Sequence, residues 1–376
     1  MRMQSRLLLA AAFMLFATLP LAAVTDLFPA KVTVTHATGF NVSYHGTWKE
    51  VTIKHPWRDA ARPLTYILVQ QGTPVPAKQG DAVVTIPIKT CAVLSSTYLP
   101  HLDLLGKAAS VVGIDNIKHV NTPSIRDRIA AGHVREIGST VTMNIERIVA
   151  LAPDVLFSYT LDNAEAARRR VLTRAGVPLI LGSSYLETTP LGRAEWLKFT
   201  ALFFNAERQA EAEFVRVRQE YEALVDLVTN QAQRPTVLSN APYKGIWHVP
   251  GGRSYTATLM RDAGADYLWA SDTHTGGVPV AVETVVNKAV SADFWINPSG
   301  WRSLAEGLQQ DPRFTLFRAF RDGRVYNNNK RLNAQGGNDF WESGVINPHI
   351  VLKDLIHIFH RDTLPHHVLY YFQQLK

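Results

Sequence analysis

The sequence predicts an α/β protein of two lobes with central, mainly parallel sheets, joined by one long rigid helix. A ligand cleft is expected between the lobes and a small β extension before them. Three observations carry this. Short apolar strands alternate with helical stretches from residue 82 onward, the pattern of βαβ units. A stretch from residue 191 to about 230 is almost free of glycine and proline and suits a stiff rod. A faint repeat relates the halves: Glu146-Arg-Ile-Val-Ala-Leu-Ala-Pro-Asp154-Val-Leu-Phe, then Glu283-Thr-Val-Val-Asn-Lys-Ala-Val-Ser-Ala-Asp293-Phe-Trp-Ile.

In chain order, residues 1–23 come first. Arg2 and Arg6 precede an apolar stretch over 7–16, and Leu21-Ala22-Ala23 follows with small residues. That pattern predicts a cleaved secretory signal peptide, cut at Ala23 or a residue or two away. No later segment approaches the length of a membrane span. Cys91, the only cysteine, lies deep in the chain. It offers no lipid-anchor position and no internal disulfide, and it is expected to be a buried, inert thiol. The expected location is the periplasm, without a lipid anchor.

Residues 24–82 form the extension. Apolar and polar residues alternate there, as in Phe40-Asn41-Val42-Ser43-Tyr44, with turns at His45-Gly46 and Pro56, so a small antiparallel sheet is expected. The amino-terminal lobe is expected over 83–204, with strands at 83–86, 92–94, 111–114, 155–159 and 178–181. The linking helix is placed at 205–232. Its apolar residues Phe214, Val217, Tyr221, Leu224, Val225 and Val228 recur at three- and four-residue steps and form one packing stripe. The carboxy-terminal lobe, 233–376, carries strands at 236–240, 293–296 and 325–326 and helices at 255–263, 282–289 and 348–360. Ligands bind such sheets beyond the carboxyl ends of the strands, which places the site between the lobes.

The chain has 376 residues, 46% of them hydrophobic and 19% charged, which describes a globular protein with a full core. Its formal net charge of +7 is spread along the sequence without a run of five or six like charges. A solvated surface is therefore expected, with no nucleic-acid partner. The nucleotide, metalloprotease and hydrolase loops Gly-x-x-x-x-Gly-Lys-Ser/Thr, His-Glu-x-x-His and Gly-x-Ser-x-Gly are absent. No catalytic residues, no cofactor and no enzymatic activity are expected.

The segment Gly138-Ser-Thr-Val-Thr-Met-Asn-Ile-Glu146-Arg-Ile-Val-Ala-Leu-Ala-Pro-Asp154-Val-Leu resembles the class III, helical-backbone substrate-binding proteins of ABC importers. These bind cobalamin, ferric siderophores or haem. Val111-Val112-Gly113-Ile114-Asp115 and Pro250-Gly251-Gly252-Arg253-Ser254-Tyr255 match in order, and the resemblance spans roughly 83–360. It implies a monomer that captures a metal chelate and delivers it to an inner-membrane permease. It also implies one permease-docking glutamate per lobe, which by position are Glu146 and Glu283. A first-turn carboxylate is favoured by the helix dipole and suits arginine partners, although a solvated helix would carry one too. The extension and the polar stretch 327–341 depart from the family pattern.

Cleft contacts are expected from loops after the strands: Tyr98 and Tyr159 in the first lobe, and Trp247, His248, His274, Trp301, Arg331 and Trp341 in the second. Aromatic rings suit a broad chelate, and arginine suits its carboxylates or catecholates. Core packing is the competing reading for each aromatic. His357 and His360, three apart on an apolar helix, are read as structural, so no metal site is expected. An iron chelate, either a ferric siderophore or haem, is the leading cargo and cobalamin the alternative. An exported chelatase-like enzyme is the reading from another class, and a receptor for a bare divalent metal is a third.

Overall fold

The structure is a computed structural model and describes residues 26–139 and 142–376; the expected signal peptide lies outside them. Strands β1 (Phe40–Tyr44), β2 (Trp48–Ile53), β3 (Leu64–Gln70) and β4 (Ala82–Ile86) form the extension sheet in that order. Its first two pairings are antiparallel and the β3–β4 pairing is parallel. Residues 83–86 therefore belong to this sheet and do not open the first lobe, as the sequence had suggested. Their alternation explains why: Val84 and Ile86 are buried while Val83 and Thr85 face solvent. One wet face suits this sheet, whereas strands buried on both sides suit a sheet covered by helices.

The first lobe has a five-stranded parallel sheet of β5 (Cys91–Val93), β6 (Val111–Ile114), β7 (Arg135–Glu136), β8 (Val155–Ser158) and β9 (Leu179–Leu181), ordered β7-β6-β5-β8-β9. Every residue of β5 and β8 is buried. Burial pushes the Cys91 thiol well above its ordinary range, as an inert core cysteine requires.

The second lobe contributes β10 (Thr236–Ser239), β11 (Pro242–Tyr243), β12 (Ile246–Pro250), β13 (Asp266–Tyr267), β14 (Gly277–Ala281), β15 (Phe294–Ile296), β16 (Val325–Asn327) and β17 (Gln373–Gln374). Five of them make the sheet β13-β10-β15-β16-β17, parallel except for its last strand. The other three make a small antiparallel sheet, β11-β12-β14, over a stretch expected to be loop.

The helix Glu207–Thr229 joins the lobes. Its 23 residues make it about 35 Å long at 1.5 Å per residue. It buries Ala210, Phe214, Val217, Tyr221 and Val228 against the second-lobe core, which confirms the apolar stripe.

The extension is not an appendage. Phe40, Val51, Ile53, Tyr66, Leu68, Val84 and Ile86 share one apolar core with Val93, Leu99, Phe157, Trp196 and Phe199 of the first lobe. Buried carboxylates reinforce this seam. Glu195 accepts backbone N–H groups of Thr35, His36 and Ala37 at 2.6–3.1 Å. Glu187 accepts those of Thr38 and Gly39 and the indole N–H of Trp196. Lys49 of β2 forms a buried ion pair with Glu207 at the start of the linking helix. Burial lowers the Lys49 ammonium's pKa, and Glu207 opposes that shift.

Burial alone would raise the Glu195 carboxyl, but the N–H groups of segment 35–37 and the Lys198 ammonium outweigh it and hold it below its ordinary range. The unfolded chain therefore takes up this proton first as pH falls. The stability is complete above about pH 4.3 and is lost as pH drops through the lower folded value. Glu195→Gln should lose about 1.5–3 kcal/mol at pH 7. Its urea midpoint should also fall less steeply than wild type's below pH 4, and parallel acid limbs would contradict this account.

Candidate functional site

The loops at the carboxyl ends of the strands converge on a hollow of about 320 Å³ between the lobes. From the first lobe come Tyr185 and Glu187, in the turn after β9, and Arg193 in the helix Pro190–Ala194. From the second come Asn240 after β10, Tyr255 at the start of the helix Tyr255–Asp262, the segment 275–277, and Trp341. Arg58 of the extension completes the wall.

Each group is held by its own surroundings. The Tyr185 hydroxyl donates to the Thr160 carbonyl at 2.6 Å, and its ring meets Tyr159 edge-on at 6.1 Å. Burial pushes the Tyr185 phenol up to about 12. Arg193 donates from Nε to the Glu187 carbonyl at 3.3 Å and from Nη2 to the Tyr185 carbonyl at 3.0 Å. Its guanidinium lies 4.1 Å from the centre of the Tyr255 ring, so a cation–π contact joins the lobes across the cleft. Burial lowers the Arg193 pKa, opposed by Tyr255 and Glu187. Ser254 caps the Tyr255 helix by accepting the Ala257 N–H at 3.2 Å. Trp341 stands 54% exposed, edge-on to Phe340, and is the large free ring of the site.

A second hollow, about 550 Å³, lies between the extension and the helix Asn163–Arg174. It flanks β9 instead of facing both lobes, and its Arg62 and Asp81 are already paired with each other.

The polar stretch 327–341 clasps the lobes together. Asn333 donates from its side chain to the carbonyls of Lys118 and Val120 at 3.0 and 3.1 Å. Gly337 runs so close to His119 that a Cβ there would lie 2.3 Å from its carbonyl oxygen. Next to this stretch, buried Glu342 accepts the N–H groups of Asn121 and Thr122 at 2.9 and 2.7 Å. Burial raises the Glu342 pKa, and the Thr122 hydroxyl and these N–H groups partly offset it.

The expected contact residues divide. Trp341 lines the hollow and Tyr159 backs Tyr185. His274 is exposed beside the 275–277 wall, with Nδ1 3.1 Å from Asp272. His248 is exposed on β12 opposite Pro279.

Three expected contacts are core residues instead. Trp247 has no exposed surface, donates to the Ser239 carbonyl and packs on Trp295, Phe314 and Phe317. Trp301 is buried against Trp295 and bonded to Gln310. Tyr98 stacks on Phe157 and donates to the Ser158 carbonyl. Arg331 lies outside the hollow, engaged by Asp339 at 2.5 Å and the Tyr370 ring at 4.2 Å.

The sequence reading passed over Arg58, Tyr185, Arg193 and Tyr255. Tyr185 follows a strand, and the rule that selected Tyr159 would have found it. Neither arginine carries a local signal. Among the described residues no group of three or more His, Cys, Asp or Glu side chains could hold a metal ion.

Glu146 is exposed in the first turn of the helix Ile145–Leu151. Glu283, 72% exposed in the first turn of the helix Val282–Ala289, lies 3.5 Å from Arg313, which Asp311 also holds.

Residues 91–332 match the periplasmic binding protein family. This chain belongs to that family. Its fold is the two-lobe, class III arrangement, and it is a solute-binding protein of the ABC-transporter type, not an enzyme. An uncharacterized lipoprotein of Methanocaldococcus jannaschii is 27% identical over 315 residues, covering 79% of this chain and 73% of its own.

Two solved structures share the fold. One is a possible iron-binding, periplasmic solute-binding protein of Staphylococcus epidermidis, with TM-score 0.57 and 15% identity, covering 73% of this chain and 99% of its own. The other is a periplasmic heme-binding protein of Pseudomonas aeruginosa, with TM-score 0.56 and 20% identity, covering 77% and 98%. No helix among the described residues of this family member is long and apolar enough to cross a membrane.

The clasp can be tested directly. Glu342→Ala strands the N–H groups of Asn121 and Thr122 and should lower unfolding stability by about 1–3 kcal/mol. Small-angle scattering should show a wider distribution of lobe separations. An unchanged scattering curve would mean that the linking helix alone sets the lobe geometry.

Proposed function

We propose that this binding protein captures an iron chelate, a ferric siderophore or haem, between its lobes and delivers it to an inner-membrane permease. The observation that carries the reading is the wall of the interlobe hollow, where the rings of Tyr185, Tyr255 and half-exposed Trp341 meet the cation of Arg193. Rings give broad contact to a flat or greasy chelate at little entropic cost, and arginine recognises its oxygen anions. The hollow lies in the lower part of the size range of small-molecule sites, roughly 300–1,000 Å³. Two proteins of the same fold, named for iron and for heme, support the chemical class.

Glu146 and Glu283 are the proposed permease contacts, both exposed in first turns where the helix dipole favours a carboxylate. The protein acts as a periplasmic monomer in this reading.

A tryptophan-fluorescence titration with haem, ferric siderophores and cobalamin tests the cargo. One iron chelate should quench saturably at micromolar Kd or tighter, roughly −8 kcal/mol. Trp341→Ala should weaken it about tenfold, the loss of a ring contact worth roughly 1.4 kcal/mol. Quenching by cobalamin alone would replace iron with cobalamin in this proposal. Glu146→Arg combined with Glu283→Arg should abolish uptake in cells while leaving chelate affinity within about twofold, since both lie outside the cleft. Loss of affinity in that variant would refute a pure docking role.

A further inference from the structure

Arg58 sits on the connection between β2 and β3, in the extension that the family match at 91–332 does not include. That connection is anchored. Pro56 is buried, the Trp57 indole donates to Asn163 Oδ1 at 3.0 Å, and the Ala60 N–H closes a turn on the Trp57 carbonyl at 3.2 Å. From this base, fixed to the first lobe, the Arg58 guanidinium reaches the second. A Cβ added to Gly276 would lie 3.0 Å from Nη2 and 3.7 Å from Nη1, so the absence of a side chain there makes its room.

Several arginines are already paired, as Arg62 is with Asp81, Arg234 with Asp266, Arg318 with Asp293 and Arg331 with Asp339. Arg58 and Arg193 differ: among the described residues, no carboxylate lies within ion-pair distance of either, and both line the interlobe hollow. Glu187 is the one carboxylate in that lining, and its oxygens already accept from Thr38, Gly39 and Trp196. The hollow therefore presents two cations against the single carboxylate of Glu187, and a net positive lining favours a negatively charged occupant.

We infer that the extension completes the ligand site, with Arg58 serving beside Arg193 as a second cation that selects an anionic chelate. This assignment rests on the iron-chelate reading and narrows it: an anionic chelate binds through Arg58, and a neutral one makes no use of it.

The test uses the full mature chain and three probes: a ferric tris-catecholate and haem, both anionic, and a neutral ferric tris-hydroxamate. Arg58→Gln should weaken at least one anionic chelate about tenfold and flatten the salt dependence of its binding, while any affinity for the neutral chelate stays within about twofold. Arg58→Lys should recover part of the loss, which a purely structural role would not predict. Arg58 is exposed, so an unchanged unfolding midpoint serves as the check on folding. Unchanged anionic affinity in Arg58→Gln, or wild-type binding of the neutral chelate alone, overturns the assignment and leaves the iron-chelate reading standing. Wild-type binding of none of the three overturns that reading, and the assignment with it.

Discussion

Four buried carboxylates, each accepting a cluster of N–H groups from another segment of the chain, hold this molecule's parts in register. Glu187 and Glu195 bind the start of the extension, Glu342 binds the opposite lobe, and Asp354 binds the carboxy-terminal segment. Asp354 has no exposed surface and accepts from the backbones of Tyr370, Tyr371 and Phe372 at 2.7–3.0 Å. An ionised carboxylate out of water is costly unless several donors surround it. That cost makes the arrangement selective, because a misplaced segment would leave both the carboxylate and the N–H groups unmet.

The site inherits its geometry from these contacts. The oxygens of Glu187 hold residues 38 and 39 while its backbone carbonyl holds Arg193, so one residue ties the extension to the wall of the cleft. Glu342 and Asn333 set the opposite side by joining the lobes through residues 118–122. A wide hinge motion would have to break these bonds as well as bend the 23-residue linking helix. The cleft is thus largely pre-formed, with Trp341 the ring left free to meet a ligand.

Much of the architecture was legible from periodicity. The helix at 282–289 lies where the sequence places it, and the stripe through Phe214, Val217 and Tyr221 is buried as its spacing requires. The contact residues were less legible because an aromatic after a strand has the same local signature whether it packs or binds. Trp247 shows the difficulty. The order Ile246 out, Trp247 in, His248 out, Val249 in is a strand alternation, and it sends the indole into the core. Polarity misled in the same way at Arg331, whose charge is taken up by Asp339 within its own lobe.

By itself the sequence determined the two-lobe α/β class, the linking helix, the burial of Cys91 and the first-turn positions of Glu146 and Glu283. Those features follow from spacing over a few residues, where periodicity and capping act. Only the tertiary structure decided that the extension shares the first lobe's core, that the 327–341 stretch clasps the lobes, and that Arg58 meets Gly276 across the cleft. Those contacts join residues far apart in the chain. Their partners are selected by burial and by unmet hydrogen bonds, and neither exists until the chain has folded.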